Sequence, residues 1–472
     1  MEEERHWFSQ EEDEVQKIIQ RFERMKRNNE NYFFDVIEFE TIIDYYLERN
    51  NQARAFEAAS IASKQHPNSV PILLRNAKVL LDRGRIAESL LILKKLETIE
   101  PGNHEIFLVK GTALGMMGDI QGARKMFDLA LAKDLDDVEN ILFSITSILQ
   151  NLNYYKEVIP YLERLIELEP YYPEHLYDMA YAYEKIDDFE NSIKYYTRFL
   201  DEEPFSDSAW YNLGMIYNKT ERHYEALEAY DYALAINPQN DFALFNKGVV
   251  LAYLGKYEEA IHAYQEYLQI EPESHEAMTY IAECYEKTGN PSLAKKYYYE
   301  AIELAPDFTD AWIGLGISEL NSGNAEKSLG FFRKAAEIDS SNPELWYFTG
   351  KAFMLTGNKK RALRCFRESL KIDPYYQDSW YEFGKIIIEE KLATRTLPLL
   401  NKAYKIIGDI PGINYLMAAL YVQSGNNKSA IVHLKKALEL DNKIFEKFID
   451  LFPKEINNKD IRSLLKGLTR NT

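Results

Sequence analysis

Few residues of this chain stand at spacings that support chemistry. Its eight histidines are His6, His66, His104, His175, His223, His262, His275 and His433. Zinc hydrolysis on a helix needs two imidazoles four residues apart, with a carboxylate beside the first. His275-Glu276 opens in that way, but Thr279 stands where the second imidazole belongs. The two cysteines, Cys284 and Cys365, are far apart and form no paired metal or redox motif. Gly314-Leu315-Gly316 begins like a dinucleotide fingerprint, yet a helix-contact role for Gly316 explains it without a cofactor. There is no nucleophile elbow, phosphate loop or kinase signature. With 75 Asp and Glu, carboxylate pairs arise by chance and none stands out as an acid–base couple. The expectation is a chain with no catalytic centre, no metal and no cofactor.

Bulk properties narrow the remaining classes. The formal net charge is −19. That disfavours a protein that tracks nucleic-acid phosphates or an anionic membrane surface. Cysteine usage fits a reducing compartment. The start, MEEERHWFSQEEDE, is acidic and lacks the apolar core of a secretory signal. No apolar run approaches the roughly 18 residues of a membrane span. A cytoplasmic protein is expected.

The elements that organise the chain repeat every 34 residues. Pro67 and Pro101 are 34 apart, and Pro170, Pro204, Pro238, Pro272 and Pro306 follow at the same interval. Pro374 lies two periods further on, with Ser340 in the intervening slot. Proline cannot continue a helix, so this slot lies just past a helix end. Pro101 and Pro170 are 69 apart, one residue too many, and the surplus is assigned to the acidic loop near Asp134–Asp137. Midway through each period stands Gly84, Gly118, Gly255, Gly289, Gly323, Gly357 or Gly425, or else Asn50, Asn153 or Asp187. These residues tolerate a positive φ and mark a turn between two helices. Glu221 and Lys391 fill the slot twice and suit it badly, so those two turns are expected to differ. Pro160 and Pro398 fall inside second helices and should kink or delay them. The repeat at 377–410, with Thr396 and Gly408 in place of the usual alanine and proline, is expected to be irregular.

Asp207–Pro238 carries the pattern in full: Trp210, Leu213, Gly214, Tyr217, Ala226, Tyr230, Ala233 and Pro238 at positions 4, 7, 8, 11, 20, 24, 27 and 32 of the period. This resembles the tetratricopeptide repeat at each signature position. The resemblance covers 36–444 as twelve repeats. It implies an all-α, right-handed superhelical solenoid of helix–turn–helix units. Residues 1–35 are read as an acidic N-terminal capping helix, starting at Ser9 and presenting Val15, Ile18, Ile19 and Phe22. Residues 445–472 are read as a C-terminal cap through Phe445, Phe448, Ile449 and Phe452, with a last helix starting at 458–460. The leader with FFDVIEFETIIDYYL is similar to long cytosolic repeat proteins of Bacteroidetes.

In the family, positions 2, 5, 9, 12 and 13 of the first helices face the groove of the superhelix. Carried over, they place Tyr177, Tyr181, Tyr211, Met215, Phe242, Phe245, Val249 and Tyr253 there. Tyr347, Lys351, Met354, Tyr381, Lys385 and Tyr415 follow. Rings and thioethers of this kind suit an extended peptide or a helix with apolar anchors. Asn212 and Asn246, at position six of successive repeats, resemble a two-rung ladder that would hydrogen-bond a peptide backbone. The Lys and Asn clamp of chaperone-binding members is missing at Tyr211 and Met215, so no acidic chaperone tail is expected. Glu40, Asp44 and Glu48, with Glu276, Glu283 and Glu286, form acidic clusters that could attract a basic partner.

The expected function is therefore a scaffold that binds a protein or peptide partner in the groove, of unspecified oligomeric state. Its binding residues would be Tyr177, Tyr181, Tyr211, Asn212, Met215, Phe242, Phe245, Asn246 and Tyr253. The alternative is a regulator bound to nucleic acid or ribosomes through Lys359, Lys360, Arg361 and Arg364, a patch expected on an exposed second-helix face.

Overall fold

A computed structural model describes residues 2–452 with Lys459, Ile461 and Ser463, and side chains among these from Glu14 onward except at Ala393. The described residues form α-helices and one short 3-10 turn, with no strand. None of these helices is long and apolar enough to cross a membrane. The chain divides into two compact units, Met1–Arg222 and His223–Thr472.

The first unit opens with α1 (Glu2–Asn28). Helical pairs follow: α2 (Val36–Glu48) with α3 (Gln52–Gln65), α4 (Val70–Asp82) with α5 (Ile86–Ile99), and α6 (His104–Met116) with α7 (Ile120–Lys133). Then come α8 (Val138–Asn151) with α9 (Tyr155–Leu168), α10 (Glu174–Lys185) with α11 (Phe189–Glu202), and finally α12 (Asp207–Lys219). The second unit opens with α13 (His223–Ile236) and continues with α14 (Asp241–Tyr253) and α15 (Tyr257–Ile270). Next are α16 (His275–Lys287) with α17 (Pro291–Leu304), α18 (Thr309–Asn321) with α19 (Ala325–Ile338), and α20 (Pro343–Leu355) with α21 (Lys359–Ile372). The last pairs are α22 (Gln377–Glu389) with α23 (Ala393–Ile407) and α24 (Pro411–Gln423) with α25 (Asn427–Leu440). The short α26 (Phe445–Phe448) and the 3-10 turn Ile449–Leu451 end the described run. Each unit is an all-α solenoid of stacked hairpins.

The repeat pattern converts directly into packing. The alanines at position 20, among them Ala55, Ala123, Ala260, Ala294 and Ala362, are fully buried. The glycines at position 8 face an aromatic ring of their own hairpin. A Cβ added to Gly316 would stand 2.4 Å from the Phe332 ring, and one at Gly248 would stand 2.7 Å from Tyr264. Any larger residue must push that ring away. The indoles at position 4 close the joint between hairpins: Trp210, Trp312, Trp346 and Trp380 donate to the carbonyls of Pro204, Pro306, Ser340 and Pro374.

Several expectations change. α1 begins at Glu2, so Ser9 lies within the helix rather than capping it. The acidic residues ahead of Ser9 favour a helix N-terminus and extend it. Ile19, Phe22 and Met25 of α1 are buried against Phe34, Phe39 and Ile42, while Val15 and Ile18 are only partly covered. The surplus residue does not lengthen the loop at 134–137. That loop has four residues, and α8 has 14 residues where α6 has 13. Glu221 and Lys391 adopt φ of 60° and 56°, so their turns match the others. Pro160 and Pro398 delay neither helix: α9 and α23 begin on the same register as their neighbours. The repeat at 377–410 is irregular, as expected. Gly384 faces Leu416 and Leu451 instead of a ring on its own hairpin, and α23 ends at Gly408 with φ of 87°. The helix expected to start at 458–460 falls largely outside the described residues.

Candidate functional site

The resemblance assigns one row of first-helix positions to a binding wall, and each unit places those residues as follows. In the first unit, α10 and α12 carry Tyr177, Tyr181, Tyr211, Asn212 and Met215, all half-buried. Tyr177 packs edge-on against Tyr196 at 5.4 Å and Phe199 at 5.3 Å. Asn212 donates its amide hydrogens to the Tyr177 hydroxyl at 2.8 Å and the Tyr196 hydroxyl at 3.1 Å. Its donor capacity is thus spent within the protein. Burial raises the Tyr177 phenol, which stays a neutral hydrogen-bond partner. Tyr181 sits edge-on to Tyr155 at 5.8 Å, and the Lys185 ammonium lies 4.6 Å over its ring.

In the second unit, α14 carries Phe242, Phe245, Asn246 and Tyr253. Phe242 is 64% and Tyr253 72% exposed. The Tyr253 ring lies 4.5 Å from His223. Phe245 is half-buried among Tyr264, Tyr267 and Tyr280, at 5.7, 5.2 and 5.7 Å. Asn246 donates to the Phe242 carbonyl, one turn back on its own helix, at 2.9 Å. Tyr280 stacks on Tyr264 and keeps an exposed edge.

Beside these rings the wall turns acidic. Glu276 and Glu283 on α16, Asp310 on α18 and Glu344 on α20 occupy wall positions. Glu283 keeps an open side to water but is crowded by protein on the others. Burial, then the Glu344 and Asp310 carboxylates, push its carboxyl up to about 7, with Lys287 offsetting part of the effect. Burial and Asp310 raise Glu344 as well. The other acidic cluster is different. Arg75 bridges Glu40 at 2.7 Å and Asp44 at 2.9 Å, while Glu48 stays exposed.

Two expected wall residues are covered. Tyr347 is 9% exposed and packs against Phe348, Phe366 and Tyr376. Tyr415 is fully buried beneath Phe448 and Phe445. Conversely, the sequence reading missed a groove of about 490 Å³ between α4, α6 and α8, lined by residues including Asp82, Leu108, Thr112, Met116 and Phe143. Its signal was present in Met116 and Phe143, large apolar residues at wall positions that remain exposed.

No His, Cys, Asp and Glu group able to hold a metal ion occurs among the described residues. Both cysteines are buried and free. Burial lifts the Cys284 thiol to about 12 and the Cys365 thiol to about 11, so neither is a nucleophile at neutral pH. Lys359, Lys360, Arg361 and Arg364 lie on the second helix α21, where Lys359 pairs with Glu389 and Glu390.

Residues 176–305 match the middle TPR-like domain of cilia and flagella-associated protein 70. Residues 285–343, 343–376 and 411–444 each match the tetratricopeptide repeat. The chain is similar to the CTR9 homolog of Arabidopsis thaliana, 35% identical over 89 residues that make up 19% of this chain and 8% of that protein. It therefore spans only a small part of that relative's length. Among solved structures it is similar to a tetratricopeptide repeat protein from Parabacteroides merdae, with 18% identity, a TM-score of 0.43, and 63% of this chain and 98% of that one covered. It is also similar to YrrB, described as a TPR protein with an unusual peptide-binding site, at 22% identity and a TM-score of 0.32 over 39% of this chain and 95% of that one.

Proposed function

The chain belongs to the tetratricopeptide repeat family, and from that footing we propose that it is a non-enzymatic, cytoplasmic scaffold whose first-helix wall holds a peptide or helix of a protein partner. Stacked repeats of this kind create extended binding faces, and the wall needs no reactive group to act. One observation carries the reading: on α16, α18 and α20, Glu283 stands close enough to Glu344 and Asp310 for their charges to help raise its carboxyl, and the part-exposed Tyr280 ring feels the same Glu283 and Asp310 charges. The fold thus holds like charges together next to an aromatic edge that stays open to solvent. A segment with Lys or Arg and an apolar anchor relieves the repulsion and covers that edge. In the first unit, taken by itself, Tyr181, Tyr211 and Met215 are proposed as a binding surface of their own, supported by Tyr177 and Asn212. Asn246 holds the Phe242 turn rather than serving as a free ladder rung.

The experiment places a photo-crosslinking phenylalanine analogue at position 253 and, separately, on the second helix at position 303. Crosslinks to a basic segment of one protein partner at 253, and none at 303, support the reading. Equal crosslinking at both positions, or crosslinks to RNA, contradicts it. Of the basic patch behind the nucleic-acid alternative, Lys359 pairs with Glu389 and Glu390, while Lys360, Arg361 and Arg364 stay exposed on α21.

A further inference from the structure

The segment that follows α25 does not continue the stack. The connection from α25 to α26 has four residues, the same as the connection from α5 to α6, so α26 starts where a further first helix would begin. It leaves that course after one turn. The segment then folds back over the first helices of the two preceding hairpins, α22 and α24. Phe448 is fully buried, stacked on Tyr415 at 5.3 Å and edge-on to Tyr381 at 5.9 Å. Phe445 meets Tyr415 at 6.0 Å. A Cβ on Gly384 would stand 2.7 Å from Leu416 and 3.1 Å from Leu451, so the segment packs close against this glycine. Lys447 forms an ion pair with Asp378. Asp378 and Tyr381 hold the same two positions on α22 that Phe242 and Phe245 hold on α14.

The segment has little structure of its own. α26 has four residues, lacks a side-chain cap and passes at once into a 3-10 turn. A helix this short is unstable alone, so docking is what gives it shape. Its contacts are those of a helix seated in a groove: two aromatic anchors three residues apart, a leucine three further on, and one charge pair at the rim.

We propose that the first-helix face of α22 and α24 is a docking site for a partner helix of the form Phe-x-Lys-Phe-x-x-Leu, and that the chain's own Phe445–Leu451 occupies it until such a partner displaces it. This does not depend on the surface assigned to α14–α20. A tethered segment competes at a high effective concentration, so an incoming helix binds well only when the resident leaves.

The test uses the full chain and a labelled synthetic peptide of residues 443–453. With Phe445→Ser and Phe448→Ser releasing the resident, the peptide should bind at least about tenfold more tightly than to the unaltered chain. Adding Asp378→Lys should remove that gain. Binding no tighter than to the unaltered chain, or indifferent to Asp378→Lys, overturns the proposal. Should the released variant fail to fold, hydrogen exchange on the unaltered chain decides. Excess peptide should speed exchange at Lys447–Leu451 while α24 and α25 stay protected. No acceleration, or exchange of the segment together with α24 and α25, overturns it.

Discussion

The Trp312 indole donates its N–H to the Pro306 carbonyl, six residues back, at 2.9 Å. This bond ties the start of one hairpin to the end of the one before. The proline that stops the second helix is thus also the acceptor that fixes the next first helix. The prediction is that Trp312→Phe keeps the fold but lowers unfolding free energy by about 1–2 kcal/mol, from the lost hydrogen bond and part of the packing. Urea denaturation followed by circular dichroism checks it. An unchanged midpoint would show the indole bond to be energetically idle.

Lys391 holds a left-handed conformation, with φ of 56°, that glycine adopts without strain. Its neighbour Leu392 closes the turn by donating to the Ile387 carbonyl at 2.9 Å. Replacing Lys391 with glycine should stabilise the chain by roughly 0.5–1 kcal/mol, net of the entropy glycine adds to the unfolded state. A lower melting temperature for Lys391→Gly would contradict this.

That residue also shows where sequence reasoning reached and where it stopped. The helices were legible because proline and glycine slots are local demands on φ and on hydrogen bonding. The turn at Lys391 was misread because the stack fixes the turn length, and the side chain accepts strain rather than breaking register. Burial of Tyr415 was not legible, because it depends on a segment 30 and more residues away folding back. The commitment of Asn212 was hidden for the same reason: its hydroxyl partners lie 35 and 16 residues earlier. The exposure of Phe242 and Tyr253 agrees with the positions that the family resemblance assigned them, and it depends on no distant segment folding back.

Two carboxylates of the second unit should give pH slopes of opposite sign. Glu283 is raised to about 7 from an ordinary 4.5. The folded state therefore binds its proton more tightly, and stability falls as pH rises from about 4.5 to about 7. Glu283→Gln should raise the melting temperature at pH 8 and not at pH 4. Glu319 is lowered to about 2: burial opposes this, but bonds from Lys327, Asn324 and Lys295 overcome it. Its contribution is present above pH 4.5 and is lost as pH falls towards 2. Glu319→Gln should lower the melting temperature at neutral pH, and the difference from the unaltered chain should shrink in acid. Melting scans across pH check both signs, and matching slopes for the two variants would contradict the assignment.

On the proposed reading, the first helices of α14–α20 select a basic segment with an apolar anchor. The most direct measurement is the affinity of a peptide series sharing one phenylalanine anchor, with net charge stepped from acidic to basic. Affinity should rise with positive charge, weaken as Glu283 protonates below about pH 7, and lose its charge dependence in the Glu283→Gln, Glu344→Gln variant. Affinity that is flat across the series, or that favours the acidic peptides, would contradict the account.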